Sequence, residues 1–176
     1  MKLLLHICCG PCACYPVSVL QAEGVEFRGW FYNPNIHPFQ EFKRRLEALE
    51  QLAARWQLTV DYERRYGLRD YLRQVVFHEE QRCRLCYEMR LAAAARQTRL
   101  LGLQAFTTTL LYSRYQQLEV ITEVAQAAAR REGVDFYYRD FRPGWRQGIE
   151  ISRRLELYRQ PYCGCIYSEQ ERYDRR

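Results

Sequence analysis

Seven of the eight cysteines fall into three groups whose spacing suits metal ligation: Cys8, Cys9 and Cys12 in HICCGPC, Cys83 and Cys86 in CRLC, and Cys163 and Cys165 in YCGC. Gly10 and Pro11 supply a turn that points several thiols the same way. The C-x-x-C pair stands at the start of an Ala-rich helical pattern, where the positive end of the helix dipole stabilises thiolates. In the C-x-C pair, Gly164 removes the side chain that would crowd a chelate. A tetrahedral zinc site uses four thiols. Eight therefore leave enough for a second metal or for catalytic thiols.

Four-cysteine iron–sulfur ligation is met by Cys9, Cys12, Cys83 and Cys86, with Cys8, Cys163 and Cys165 left for a neighbouring ion. Adjacent Cys8 and Cys9 point in different directions, which suits two centres better than one, and spacing leaves open which of them serves which. Cys14 reads as a small core residue. The competing account of the whole set is a thiol-rich or disulfide-bonded protein. The apolar run before His6 is only Leu3 to Leu5, too short for a signal-peptide core or a membrane span. The expectation is a cytoplasmic protein without a membrane partner, where thiols bind metal rather than form disulfides.

The elements that must position these thiols alternate. KLLLHI, VEFRGWFYNP, LTVDYERR, QAFTTTLLYS and VDFYYRDF read as strands. Between them lie PVSVLQAEG, a helical stretch from Phe39 to Trp56, LRDYLRQVVF, an Ala-rich helix closed by Gly102, and an amphipathic helix ending at Gly133. A last helix spans Trp145 to Leu157, and the tail SEQERYDRR reads as solvated. Such alternation predicts an α/β fold, a parallel sheet of about five strands flanked by helices, in one domain covering residues 1–176. Ligands of such sheets bind beyond the carboxyl ends of the strands, and the first cysteine group follows strand one. The 176 residues carry 27 Lys and Arg against 21 Asp and Glu. An Arg-dominated excess suits phosphate recognition, with a plain solvated surface as the alternative.

Taken in order, HICCGPC, RCRLCYEMRL, FTTTLLYSRYQ, DFR at 140–142 and LYRQPYCGCIYS resemble the epoxyqueuosine reductases of the QueH family, and they span nearly the whole chain. The resemblance implies a Rossmann-like, HUP-type fold. It also implies a cobalamin-independent, two-electron removal of the epoxide oxygen from epoxyqueuosine at the wobble position of tRNA. A 4Fe-4S cluster, a mononuclear iron or another divalent metal, and an external electron donor are implied with it. Some family members carry Asp where this chain has Cys12, and Arg114 stands where Pro is frequent.

On that reading His6, Asp140 and Tyr112 are candidate proton donors, with a core role for His6 as the alternative. Arg114, Tyr115, Arg142 and Trp145, with Tyr112 and Phe141, are candidates to hold a splayed wobble base, with core packing as the alternative for the aromatics. Two rivals remain. One is a zinc-binding tRNA-binding module without redox chemistry. The other is a tRNA sulfur-transfer enzyme, which would need a phosphate-cradling loop where CCGPC stands.

Overall fold

The computed structural model describes residues 2–174. Five strands, β1 (Lys2–Ile7), β2 (Glu26–Phe31), β3 (Val60–Tyr62), β4 (Ala105–Thr108) and β5 (Asp135–Phe136), form one sheet. Their order is β3-β2-β1-β4-β5, and every pairing is parallel. The central strand, β1, is covered on both faces, which is why KLLLHI reads as an unbroken apolar run rather than an alternation.

Side chains of β1 point alternately to two separate cores. Leu3, Leu5 and Ile7 face α1 (Gly10–Ala22), α2 (Phe39–Trp56) and α6 (Trp145–Arg154), meeting Val17, Leu46, Leu49 and Ile151. Leu4 faces α4 (Arg82–Leu100) and α5 (Leu118–Glu132), meeting Leu91, Ala94, Ile121 and Ala125. Truncating Leu4 to Ala would cost about 2–5 kcal/mol, since it has no exposed surface to relax toward. The start of α1 lies so close to α2 that a Cβ on Gly10 would sit 2.6 Å from the Ala48 carbonyl oxygen, so only glycine permits this approach.

The α/β architecture matches the expectation, and Gly102 and Gly133 end α4 and α5 with positive φ. Three local expectations are corrected. The second to fifth strands are shorter than the segments assigned to them: TLLY after Thr108 forms a 3-10 turn, and after Phe136 the backbone leaves the sheet with one further bond, Tyr137 N–H to Phe106 O at 2.8 Å. Helix α6 stops at Arg154. The tail is not merely solvated, because α7 (Ile166–Tyr173) runs through it. Its cap is a cysteine: the Cys165 sulfur accepts from Ser168 N–H at 3.4 Å, and Arg82 pairs with Glu171 to tie the helix to α4. Residues 175 and 176 lie outside the described range. Helix α3 (Leu68–Val75) packs beside α4. Among the described residues no helix is long and apolar enough to cross a membrane.

Chain order reverses between β1 and β4, so the crevice at their carboxyl ends is the topological switch point of the sheet. His6 pairs with Thr108 across this seam. Whatever follows Ile7 and Thr108 in sequence is delivered to that crevice.

Candidate metal centre

Cys8 follows β1 directly, and Cys9 and Cys12 lie at the cap and first turn of α1. The three sulfurs lie within 4.8 Å of one another, and those of Cys8 and Cys9 are 3.8 Å apart. A tetrahedral ion with metal–sulfur bonds of about 2.3 Å holds its thiolates about 3.8 Å apart. The triad thus presents three corners of a coordination tetrahedron, and its soft donors suit iron or zinc.

Two residues brought from elsewhere fix the triad. Thr109, immediately after β4, accepts from Cys8 N–H at 3.1 Å and donates its hydroxyl to the Cys8 sulfur at 3.3 Å. The Gln160 amide donates to Cys9 and Cys12 at 3.1 and 3.2 Å. Hydrogen bonds from Cys12 and Cys9 hold the Cys8 thiol well below its ordinary pKa, aided by Arg90, against the effect of burial. Burial pushes Cys9 up, and its bond to Cys8 pushes Cys12 up. The surroundings thus favour the thiolate at Cys8 over Cys9 and Cys12, and a metal ion displaces the protons that remain when it binds.

The other four thiols form a second group. Cys83 and Cys86 occupy the first turns of α4, and each lies within electrostatic range of both Cys163 and Cys165. Cys86 and Cys165 pack with Tyr71 and Val75 of α3. Burial raises Cys83 and pushes Cys86 up to about 12. The C-terminal loop reaches this place because α2 holds it. Arg45, 2% exposed, donates to the carbonyls of Cys163 and Tyr162 at 2.7 and 2.9 Å while paired with Glu41 at 2.7 Å. Glu41 in turn accepts from the Tyr158 hydroxyl at 2.5 Å. The turn after β2 completes the dock: His37 N–H donates to Gly164 O at 2.8 Å, and His37 Nδ1 accepts from Ile166 N–H at 3.3 Å. Gly164 has φ +152, and a Cβ there would meet Arg45 Nη1 at 3.2 Å.

Among the described residues only Cys8, Cys9 and Cys12 bring three sulfurs within 4.8 Å of one another. The sequence-based division, Cys9 and Cys12 with Cys83 and Cys86, and Cys8 with Cys163 and Cys165, concerns bound metals; in the metal-free chain Cys8 lies beside Cys9 and Cys12. One turn of α1 folds Cys12 back onto Cys8 and Cys9, and the docked loop brings Cys163 and Cys165 to α4. Cys14 is fully buried, its thiol directed to Gly10 O at 3.5 Å, in keeping with a core role.

A cleft of about 620 Å³ opens over both groups, with Cys8, Cys12, Cys163, Arg90 and Gln160 in its lining. Arg90 is buried between the groups, donating to Asn33 Oδ1 at 2.8 Å with Nη1 3.8 Å from the Cys86 sulfur. Cys163 accepts from Gln116, whose amide oxygen is held by the Tyr87 hydroxyl at 2.7 Å. Aromatic rings form one wall: Trp145 lies 5.1 Å from Tyr112 and meets Tyr115 edge-on at 5.7 Å, and Tyr115 is 84% exposed. Arg159 and Arg172 stand in the same lining.

The remaining predicted residues divide. Tyr112, Tyr115 and Trp145 line the cleft, although the Tyr112 hydroxyl is spent on Trp145 O at 2.9 Å. His6 is fully buried beneath it, bonded to Thr108 Oγ1 at 2.8 Å and Tyr32 O at 3.0 Å, and burial lowers its pKa to about 3. That is the core alternative for His6. Asp140 and Arg142 pair with each other at 2.7 Å and stand apart from the lining, as does exposed Arg114. Sequence reasoning passed over Arg45, Arg90, Thr109, Gln116 and Gln160. Arg45 shares helical spacing with Leu49 and Leu52, and a charge on an apolar stripe is the signal that marks it. The sulfur-transfer rival needs free amides after β1 for a phosphate, and Cys8 N–H is already taken by Thr109.

The family model described as Epoxyqueuosine reductase QueH matches residues 3–171. Curated relatives carry the same name. That of Dehalococcoides mccartyi is 39% identical over 98% of this chain and 94% of its own. That of Histophilus somni is 36% identical over 95% and 72%, and that of Thermotoga maritima 32% identical over 98% and 93%. A match that runs from β1 into α7 takes in both thiol groups and the cleft above them, and this chain belongs to the epoxyqueuosine reductase QueH family of oxidoreductases.

Proposed function

We propose that the protein reduces the epoxide of epoxyqueuosine in tRNA to the alkene of queuosine, taking two electrons from an external donor and two protons, and releasing the epoxide oxygen as water. The observation that carries this reading is the triad: three buried sulfurs at single-ion separation, opening into a cleft that Cys163 of the second group also lines. The donor sets divide the metal requirement between them. With metals bound, an ion on Cys8, Cys9 and Cys12 supplies Lewis acidity, and a 4Fe-4S cluster on Cys83, Cys86, Cys163 and Cys165 supplies electrons.

The chain's own residues prepare the site. Thr109 and Gln160 hold the triad sulfurs in place before any metal arrives. Arg90, fixed by Asn33, lies between two groups that both become anionic and offsets their mutual repulsion. Tyr115 and Trp145 offer faces on which an unstacked base can lie, and Tyr112 pins the Trp145 backbone so that the wall stands ready. Arg159 and Arg172 suit the phosphates flanking that base.

The test is anaerobic reconstitution with iron and sulfide, incubation with tRNA bearing epoxyqueuosine and a strong reductant, and nucleoside analysis. Conversion to queuosine that requires both metals is expected. A colourless, zinc-only protein that binds the tRNA without converting it would overturn the reading in favour of a binding module.

A further inference from the structure

Among the described residues six buried side-chain atoms lack a hydrogen-bond partner, on Asn35, Tyr71, Arg82, Arg90, Thr107 and Gln160. Three of the six are donors gathered around the second thiol group. The Tyr71 hydroxyl lies in the small apolar cluster that contains Cys86 and Cys165. Arg90 Nε belongs to the guanidinium that approaches the Cys86 sulfur. Arg82 Nε belongs to a side chain within electrostatic range of Cys83 and Cys165. A buried donor without an acceptor is destabilising, and three in one place call for acceptors that the metal-free thiols do not provide. Around the triad the opposite holds, since every sulfur there already has Thr109 or Gln160 as a donor.

We propose that Tyr71 is a positioning residue for the redox centre: its hydroxyl donates a hydrogen bond to the Cys165 sulfur when that sulfur is an iron-bound thiolate, and so raises the reduction potential of the cluster. This rests on the reading that Cys83, Cys86, Cys163 and Cys165 carry that cluster. A donor aimed at a thiolate stabilises negative charge, and the reduced state carries one electron more than the oxidised one, so reduction is favoured. Tyr71 is 1% exposed, which keeps water from screening the bond. Its hydroxyl stands within hydrogen-bonding reach of the Cys165 sulfur, so the donor is already aimed at the ligand it would serve. Arg82 and Arg90 add fixed positive charge of the same sense, but each has other partners, whereas Tyr71→Phe removes a single orphaned atom.

Tyr71→Phe, reconstituted anaerobically, is expected to show a tenfold lower ratio of reduced to oxidised cluster at a fixed potential, about 59 mV for a one-electron couple. Metal-free Tyr71→Phe is expected to melt at or above the parent temperature, because the unpaired hydroxyl is gone. A purely structural tyrosine would give neither result. Replacement by 3-fluorotyrosine, a stronger donor of nearly the same shape, is expected to move the potential upward. A parent protein that carries the cluster, with a potential unmoved by Tyr71→Phe, overturns the proposal alone, as does a fall in the metal-free melting temperature. A parent that takes up no cluster overturns the reading beneath it and the proposal together.

Discussion

The two thiol groups differ in how they are built. The triad comes from one strand end and the helix turn that follows, is buried, and has its donors matched in the metal-free chain. The second group joins a helix start to a distant loop, leaves Cys163 exposed, and is ringed by unmatched donors. The triad is thus set by local geometry, whereas the second group depends on a long-range dock and keeps unmatched donors around it. The difference predicts separable behaviour.

The largest effect is expected from Arg45→Met. It leaves Glu41 buried without its cation and frees the carbonyls of Tyr162 and Cys163. Breaking such a pair costs about 3–5 kcal/mol. In urea titrations the variant should lose that much stability. In cobalt titrations the triad should still take one ion while the second group takes none; retention by both groups would break the comparison.

Acidification comes next. Burial lowers His37 to about 4 from 6.5, so the folded state keeps it neutral while the unfolded chain takes up a proton. Stability is whole above pH 6.5 and falls as the pH drops; His37 contributes about 3 kcal/mol of that loss by pH 4, and buried His6, lowered to about 3, adds to it in the same sense. Protonated His37 Nδ1 can no longer accept from Ile166 N–H, so the loop that bears Cys163 and Cys165 should loosen first. Metal-free protein unfolded at pH 7.5 and pH 5 checks the sign, and equal stability at both would refute it.

Gly164→Ala forces a side chain into left-handed backbone beside Arg45 and Asn35. A loss of about 1–3 kcal/mol is expected, with weaker metal uptake at the second group only. The smallest change belongs to Cys14→Ala, which should cost about 1 kcal/mol and leave metal stoichiometry untouched. If it lowers the iron content, Cys14 is no spare.

The sheet was legible because β1 is a continuous apolar run and α2 and α5 carry clear apolar stripes. The thiols were legible as ligands because chelating spacing is local. Which thiol meets which was not, since Cys163 reaches α4 through Arg45 and His37, and neither residue announces a long-range dock. Helix α7 went unseen because its cap is a sulfur rather than a Ser, Thr or Asp oxygen. Asp140 and Arg142, candidates for proton transfer and base binding, pair with each other two residues apart, a contact that spacing alone does not announce. Arg45 and Arg90 carry the opposite lesson: two charged helix residues that drew no notice in the sequence are buried.

Thr109 and Gln160 answer sulfurs that precede them by 101 and 148 to 151 positions. During translation the cysteines after β1 emerge long before either guardian exists, so the nascent chain carries three adjacent, reactive thiols with no shelter. Oxidant or stray copper met at that stage would cross-link or capture them before the fold can close over them, and recovery of functional protein should depend on reducing conditions throughout synthesis rather than only during purification.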